Sequence, residues 1–304
     1  MIDQALPPAQ APVVSAAIFK AYDIRGIVET ALTEEAVSAI GLALGAKARA
    51  RGIGQVVVGR DGRLSGPALA RALSAGLCAA GVDVIDIGMV PTPLVYFATV
   101  LTGSGTGVAV TGSHNPPEYN GLKMMLGGAT LHGEDIRDIA ATVADPARYA
   151  ALFAATPGTV RTLDVVPDYI ARIAGEVKLA RPLKVVVDAG NGVAGAVAPA
   201  LLRALGITDL TELYCEVDGH FPNHHPDPAH PENLRDLIRE VQARDADIGL
   251  AFDGDGDRLG VVTRNGQMIF PDRQLMLYAA DVLEKNPGAT IIYDVKCTRN
   301  LAPW

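Results

Sequence analysis

Aromatic side chains are scarce in this chain of 304 residues, at 5%, and a single Trp is present, whereas 49% of the residues are hydrophobic. The apolar content is therefore mostly aliphatic, which suits α/β architecture built on buried, β-branched strands. Cysteine is also rare. Cys78, Cys215 and Cys297 lie far apart and form no C-x-x-C pair. An odd, sparse set of this kind reads as reduced, buried thiols of a cytoplasmic protein. Positive charge is in deficit, with 26 Lys and Arg against 34 Asp and Glu and a formal net charge of −8. That balance argues against a nucleic-acid partner, and an anionic substrate would need a locally basic cleft. No uncharged apolar run reaches about 18 residues, so no membrane span is expected. The first 17 residues contain no basic side chain and are rich in Ala and Pro; they make a poor signal peptide and are expected to be a disordered lead-in.

Two familiar catalytic signatures are missing as well. No G-x-S-x-G elbow occurs, which disfavours a hydrolase triad. No G-x-x-x-x-G-K-[ST] occurs, which disfavours a P-loop ATPase. At this length two domains or more are expected.

Aliphatic strand candidates alternate with helical stretches. Residues 56–59, 82–87 and 107–110 read as strands. Between them lie a helix that Ser65 would cap at its N-terminus and a second helix after Pro91-Thr92-Pro93. This is a parallel α/β unit, in which ligands sit beyond the carboxyl ends of the strands. Ser113 falls there, in Thr111-Gly112-Ser113-His114-Asn115-Pro116. A second unit begins near residue 163, with a helix over 167–177, a strand over 183–187, a glycine-rich turn and a helix over 195–205. A helix over 232–244, a strand over 247–252 and a return strand over 259–263 follow, the last ending at an Asn265-Gly266 hairpin turn. A third unit opens with a helix over 271–285 and a strand over 289–294, a pair that cannot bury its own faces without a neighbour.

The second strong motif is Asp253-Gly254-Asp255-Gly256-Asp257-Arg258. In an extended segment alternate side chains share one side, so three carboxylates would converge while the two glycines leave the other side empty. Three hard oxygens suit Mg²⁺, and three like charges this close would repel without a cation. The plain alternative is a solvated acidic turn. An EF-hand does not fit, because Arg258 stands where its Gly belongs and Arg264 where its bidentate Glu belongs. A phosphatase with Asp253 as nucleophile and Asp255 as acid fits the loop but leaves the serine motif unexplained. A serine that carries a phosphoryl group beside a divalent metal uses both motifs.

Three further features invite misreading. Gly190-Asn191-Gly192-Val193-Ala194-Gly195 is a literal G-x-G-x-x-G, with Glu212 as a candidate ribose acid. Asp188, however, would set a carboxylate near the pyrophosphate, so a tight packing turn or a loop lining an interdomain cleft is the expectation. The run from Gly219 to Pro228 holds His220, His224 and His225 among prolines. A rigid loop packed between domains is expected there rather than a zinc site. Arg25, Lys123, Lys296 and Arg299 would each be ordinary surface charges, and become site candidates because phosphate chemistry needs cations.

Taken together, Phe19 to Gly26, the serine motif, Tyr119-Asn120-Gly121-Leu122-Lys123, Phe221 to Pro228, the aspartate motif and the stretch from Asp294 to Arg299 resemble the α-D-phosphohexomutase superfamily, in its bacterial phosphomannomutase/phosphoglucomutase branch. The resemblance implies successive mixed α/β/α domains: a lead-in over 1–17, domain 1 with the phosphoserine over 18–156, domain 2 with the metal loop over 157–267, and the start of a third domain over 268–304, with the C-terminal part missing. It implies a phosphoserine at Ser113 and Mg²⁺ held by Asp253, Asp255, Asp257 and a phosphoserine oxygen. It also implies a hexose 1,6-bisphosphate that is both intermediate and activator. Catalytic roles would fall to Ser113, Lys123, Arg25, His114 and Arg258, with Lys123 a proton donor and acceptor for the sugar hydroxyl, or an electrostatic stabiliser, if neighbouring cations lower its pKa. Substrate contacts would fall to Tyr22, Lys296 and Arg299. The partners implied are phosphorylated hexoses of mannose or glucose, with neither nucleic acid nor membrane, in a cytoplasmic protein that is a monomer when intact. Without the sugar-selecting parts the chain alone is expected to be a weak or inactive mutase. A Mg²⁺-dependent sugar phosphatase and a non-catalytic Mg²⁺ and phosphate-binding fragment stay open as alternatives. One departure is Gly112, where the family usually has Ala, and Gly would loosen the serine backbone.

Overall fold

A computed structural model describes residues 9–304. The first unit contains β1 (Ile24–Ile27), α1 (Glu34–Ala50), β2 (Gln55–Arg60), α2 (Gly66–Ala79), β3 (Asp83–Met89), α3 (Thr92–Leu101), β4 (Gly107–Val110), β5 (Tyr119–Leu126), β6 (Ala129–Thr130), α4 (Glu134–Ala144), α5 (Pro146–Ala150) and β7 (Val160–Thr162). Its sheet runs β1-β5-β4-β2-β3-β7, with β6 beside β5. Strands β4, β2, β3 and β7 are parallel, and β5 runs antiparallel to both of its neighbours, β4 and β1. Both faces are covered, which is why β2 and β4 read as unbroken aliphatic runs. Val56, Val58, Val108 and Val110 face the side of α1 and α2, where Leu42, Leu73 and Leu77 lie. Val57 and Ala109 face Leu94 and Val95 of α3 together with Val165.

The second unit contains α6 (Val166–Glu176), β8 (Lys184–Asp188), α7 (Ala198–Ala204), β9 (Asp209–Leu213), α8 (Arg235–Arg244), β10 (Ile248–Phe252), β11 (Leu259–Thr263) and β12 (Met268–Ile269). Its sheet runs β12-β11-β10-β8-β9, with β9, β8 and β10 parallel and β11 antiparallel to both of its neighbours, β10 and β12. Leu237 and Val241 of α8 pack on Val186 and Val262, and Leu202 of α7 on Val185 and Val187. The expected Asn265-Gly266 turn forms: Gly266 takes φ +78° and the Thr263 N–H donates to the Gln267 carbonyl. Both helices predicted to flank this sheet start as 3-10 turns, at Val193–Ala196 and Pro231–Leu234, before α7 and α8 proper.

Several expectations are corrected. Ser65 stands at the N-cap of α2 as expected but makes no side-chain cap hydrogen bond; its hydroxyl accepts from Asn120 Nδ2 at 2.9 Å, and Pro lies in the first turn. Residues 1–8 of the expected lead-in lie outside the described residues. In the remainder, Ala11 and Val14 pack on the first core and Ser15 caps a short 3-10 turn, Ala16–Ile18. After α9 (Pro271–Lys285), residues 289–294 form no strand. A strand needs a neighbour for its backbone groups, and among the described residues this stretch has none; Ile292 is 87% exposed. Leu277, Tyr278 and Val282 of α9 are exposed too. The helix is tied to the second sheet by Gln274, whose Nε2 donates to the Ile269 carbonyl at 2.8 Å. No helix among the described residues is long and apolar enough to cross a membrane.

Candidate active site

The serine loop joins β4 to its antiparallel neighbour β5. A short connection suffices for such a pair, and it leaves Ser113 at the carboxyl end of β4. Ser113 has φ +52°, a left-handed conformation costly for a residue with a Cβ. Its N–H donates to Thr111 Oγ1 at 2.8 Å, and that hydroxyl donates to Asp61 Oδ2 at 2.8 Å. Arg25 Nη1 reaches the Gly112 carbonyl at 3.3 Å and Asn115 Oδ1 at 3.1 Å. Gly112 has a specific cause: a Cβ there would lie 2.3 Å from Arg63 Nε and 2.8 Å from the Tyr119 carbonyl.

The aspartate loop repeats this placement between β10 and β11. It is not extended. The Gly256 N–H donates back to the Asp253 carbonyl, and the N–H groups of Asp257 and Arg258 both donate to Asp253 Oδ1 at 3.0 Å. The carboxylates thus converge by curling rather than by strand alternation, and their ligand atoms lie within 4.8 Å of one another. Asp255 Oδ2 accepts from Thr92 Oγ1 at 2.6 Å and from Lys123 Nζ at 2.7 Å, and Lys123 also reaches Asp257 at 2.5 Å. Asp255 Oδ1 is buried with no hydrogen-bond partner. An orphaned carboxylate oxygen beside two further carboxylates is a donor set that a hard divalent cation fits.

The two loops meet. Ser113 Oγ donates to Asp253 Oδ2 at 3.0 Å and lies 3.2 Å from His114 Nδ1. Contact is backbone-close as well, since a Cβ on Gly254 would stand 2.4 Å from the Ser113 carbonyl. Behind the aspartate loop, the Gly254 N–H donates to the Pro226 carbonyl, and its carbonyl accepts from the Val193 N–H. The His-rich loop and the glycine-rich turn are therefore struts for the aspartate loop. His224 is locked by Asp188, its Nε2 lying 3.0 Å from Oδ2. Glu212, the candidate ribose acid, pairs with Arg203 instead.

Charge is unevenly distributed. Burial, reinforced by Asp255 and Asp257, pushes Asp253 up to about 8. Burial would lower Lys123, but Asp255 and Asp257 outweigh it and hold the ammonium above its ordinary value. The expected cationic neighbours are thus replaced by carboxylates. Burial and then Arg258 lower His114. Arg258 is half-exposed, 3.9 Å from Asp227 and 4.0 Å from Asp253. It lines a groove of about 630 Å³ with Asp257, Gln274, Tyr278 and Lys296. Arg299 is exposed, and Tyr22 is 75% exposed; neither is drawn into the serine–aspartate cluster. Sequence reasoning passed over Asp61, Arg63, Thr92 and Thr111. The signal for the first two was an Asp-Gly-Arg turn at the carboxyl end of β2.

Residues 16–150 match the family model for the phosphoglucomutase/phosphomannomutase alpha/beta/alpha domain I, and residues 167–266 the model for domain II. The chain belongs to the phosphoglucomutase/phosphomannomutase family of the α-D-phosphohexomutase superfamily. A phosphoglucomutase of Neisseria gonorrhoeae is 57% identical over 287 residues, 94% of this chain and 62% of that protein. A phosphomannomutase/phosphoglucomutase of Pseudomonas aeruginosa is 54% identical over 96% of this chain and 62% of its own length. The crystal structure of a family protein from Burkholderia thailandensis superposes with a TM-score of 0.90 at 57% identity, covering 96% of this chain and 64% of that one. The chain thus spans about 62% of the length of the curated relatives it matches.

Proposed function

We propose that the protein is a phosphohexomutase that interconverts the 1-phosphates and 6-phosphates of mannose or glucose through a phosphoserine at Ser113 and a hexose 1,6-bisphosphate. The observation that carries this reading is the 3.0 Å hydrogen bond from Ser113 Oγ to Asp253 Oδ2, which joins motifs 140 residues apart. Asp253, Asp255, Asp257 and a phosphoserine oxygen would hold Mg²⁺, which when bound offsets charge on the transferring phosphoryl group.

The chain's own residues do the rest. Ser113 Oγ carries the phosphoryl group; its bond to phosphorus breaks as a sugar hydroxyl bonds to phosphorus, the hydroxyl proton ending on the departing Ser113 Oγ, and the reverse reloads it. Lys123, which reaches Asp255 and Asp257, is placed to stabilise the developing charge or to exchange a proton with the sugar hydroxyl. Arg25 and His114 steady the loop around the phosphoserine, and Arg258 supplies charge at the mouth of the groove. Lys296, on the same groove, is placed to meet the sugar or its phosphate, with Tyr22 and Arg299 as outer contacts. The partners are phosphorylated hexoses, with the bisphosphate as activator, in a cytoplasmic setting. Residues 18–156 and 157–267 serve as the serine and metal domains, with 268–304 opening a third.

A phosphatase with Asp253 as nucleophile is disfavoured by geometry. Oδ1 of that residue accepts two backbone N–H groups and Oδ2 faces Ser113. The test is an intact mass and phosphopeptide map before and after incubation with Mg²⁺ and glucose 1,6-bisphosphate. Phosphoryl on Ser113 that passes on to glucose 1-phosphate is the expected result; an unlabelled Ser113 would sink the reading.

A further inference from the structure

A fully buried arginine is rare, and it is tolerated only when its donors are met. Arg63 is 1% exposed. Its guanidinium donates to the carbonyls of Ser113 at 2.9 Å, Asn115 at 2.6 Å, Pro116 at 2.5 Å and Tyr119 at 2.9 Å. All four acceptors belong to the serine loop or the first residue of β5, so the planar fork fills the inside of the loop's curve. Its Nε donates to Asp61 Oδ2 at 3.2 Å, and its own backbone N–H to Asp61 Oδ1 at 3.0 Å.

From Asp61 the chain of contacts returns to the serine. Oδ2 accepts from Thr111 Oγ1 and from the Gly112 N–H at 3.1 Å, and Thr111 Oγ1 accepts from the Ser113 N–H. Both sides of the Ser113 peptide are therefore held, the N–H through Thr111 and the carbonyl by Arg63. The second unit bears on the same arginine. The ring of Phe221 covers it at 5.3 Å, and a Cβ on Gly219 would lie 2.8 Å from the Leu64 nitrogen. A left-handed Ser113 has no local reason to persist, and this network supplies one.

Resting on the phosphoserine reading above, we propose that Asp61, Arg63 and Thr111 are positioning residues for phosphoryl transfer, which fix the Ser113 backbone so that its hydroxyl points into the aspartate loop. None of the three touches the reacting atoms. They act on the direction of Oγ, where a misplacement of about 1 Å costs on the order of 10²-fold in rate.

The test measures the loading of Ser113 from glucose 1,6-bisphosphate at saturating Mg²⁺, by rapid quench and intact mass, in the full-length protein. Thr111→Val keeps the volume and leaves the Asp61–Arg63 pair in place, but removes the hydroxyl that links Asp61 to the Ser113 N–H. Its saturating rate is expected to fall about 10–100-fold, while the half-saturating bisphosphate concentration and the Mn²⁺ affinity stay within about twofold. Thr111→Ser restores the hydroxyl and is expected to restore the rate. Arg63→Lys, which keeps the charge but loses the fork, is expected to slow loading further. Loading of Thr111→Val at the unaltered rate, or a fall that merely tracks lost Mn²⁺ affinity, would overturn the proposal. A failure of the unaltered protein to load Ser113 would instead overturn the phosphoserine reading on which it rests.

Discussion

The serine loop and the aspartate loop occupy the same place in their two sheets and are held in opposite ways. Each leaves the last parallel strand, β4 or β10, and returns along an antiparallel one, β5 or β11. The serine loop turns its carbonyls inward onto one buried cation, Arg63. The aspartate loop turns its amides inward onto its own carboxylate, Asp253, and takes its cation, Lys123, from the other sheet. The first arrangement fixes the direction of a neutral hydroxyl. The second concentrates negative charge at the functional position and leaves part of it unmatched. One loop is built for geometry and the other for charge, and substitutions should separate the two.

The largest effect is expected from Ser113→Ala, which should abolish covalent labelling outright in the phosphopeptide map. Asp253→Asn comes next. Phosphoryl transfer should fall by about 10²–10³-fold, yet stability at pH 7 in EDTA, read from urea denaturation, should not fall and should if anything rise, because Asn removes a buried carboxyl that folding must keep protonated well above its ordinary range. Arg63→Met sharpens the contrast from the other side. It strands Asp61 in the core and should cost about 3–5 kcal/mol in the same titration. Equal stability losses for Asp253→Asn and Arg63→Met would break the comparison.

A smaller effect concerns pH. The folded-state value of Asp253, about 8, lies above the ordinary aspartate value of 3.8. Its contribution to cation-free stability is therefore full below about pH 4 and is lost as pH rises through about 8. Melting temperature in EDTA should carry this downward slope, Asp253→Asn should flatten it, and Mg²⁺ binding near pH 7 should release protons, as calorimetry in buffers of different ionisation enthalpy would show. The smallest effect is expected from Arg258→Ala. At 46% exposure its side chain should matter to stability by less than about 0.5 kcal/mol, so any loss of rate would reflect the groove rather than the fold.

How much of this was legible depends on the range of the interaction. The strands β2, β3 and β4 were readable because burial on both faces writes itself as consecutive aliphatics. The aspartate triad was readable because like charges at alternate positions demand a reason. Arg63 was not, since an arginine in Gly59-Arg60-Asp61-Gly62-Arg63 looks like surface charge until the serine loop and the first residue of β5 bring four carbonyls to it. Lys123 was found as a candidate, but its surroundings were read wrongly, because Asp255 and Asp257 arrive from the other sheet. The absent strand at 289–294 failed for the converse reason: its residues favour a ladder, but no partner strand stands beside them among the described residues.

Every hydrogen-bond acceptor that Arg63 needs is encoded between Asp61 and Tyr119. A chain made from its N-terminus, folding domain by domain, can therefore set its nucleophile while Asp253 has yet to be synthesised. The hydroxyl is aimed first, and the cluster of negative charge is delivered afterwards to a surface that already has its shape. Asp253 and Asp255 are confined after Asp61, at a point when Lys123 is already in place to meet them.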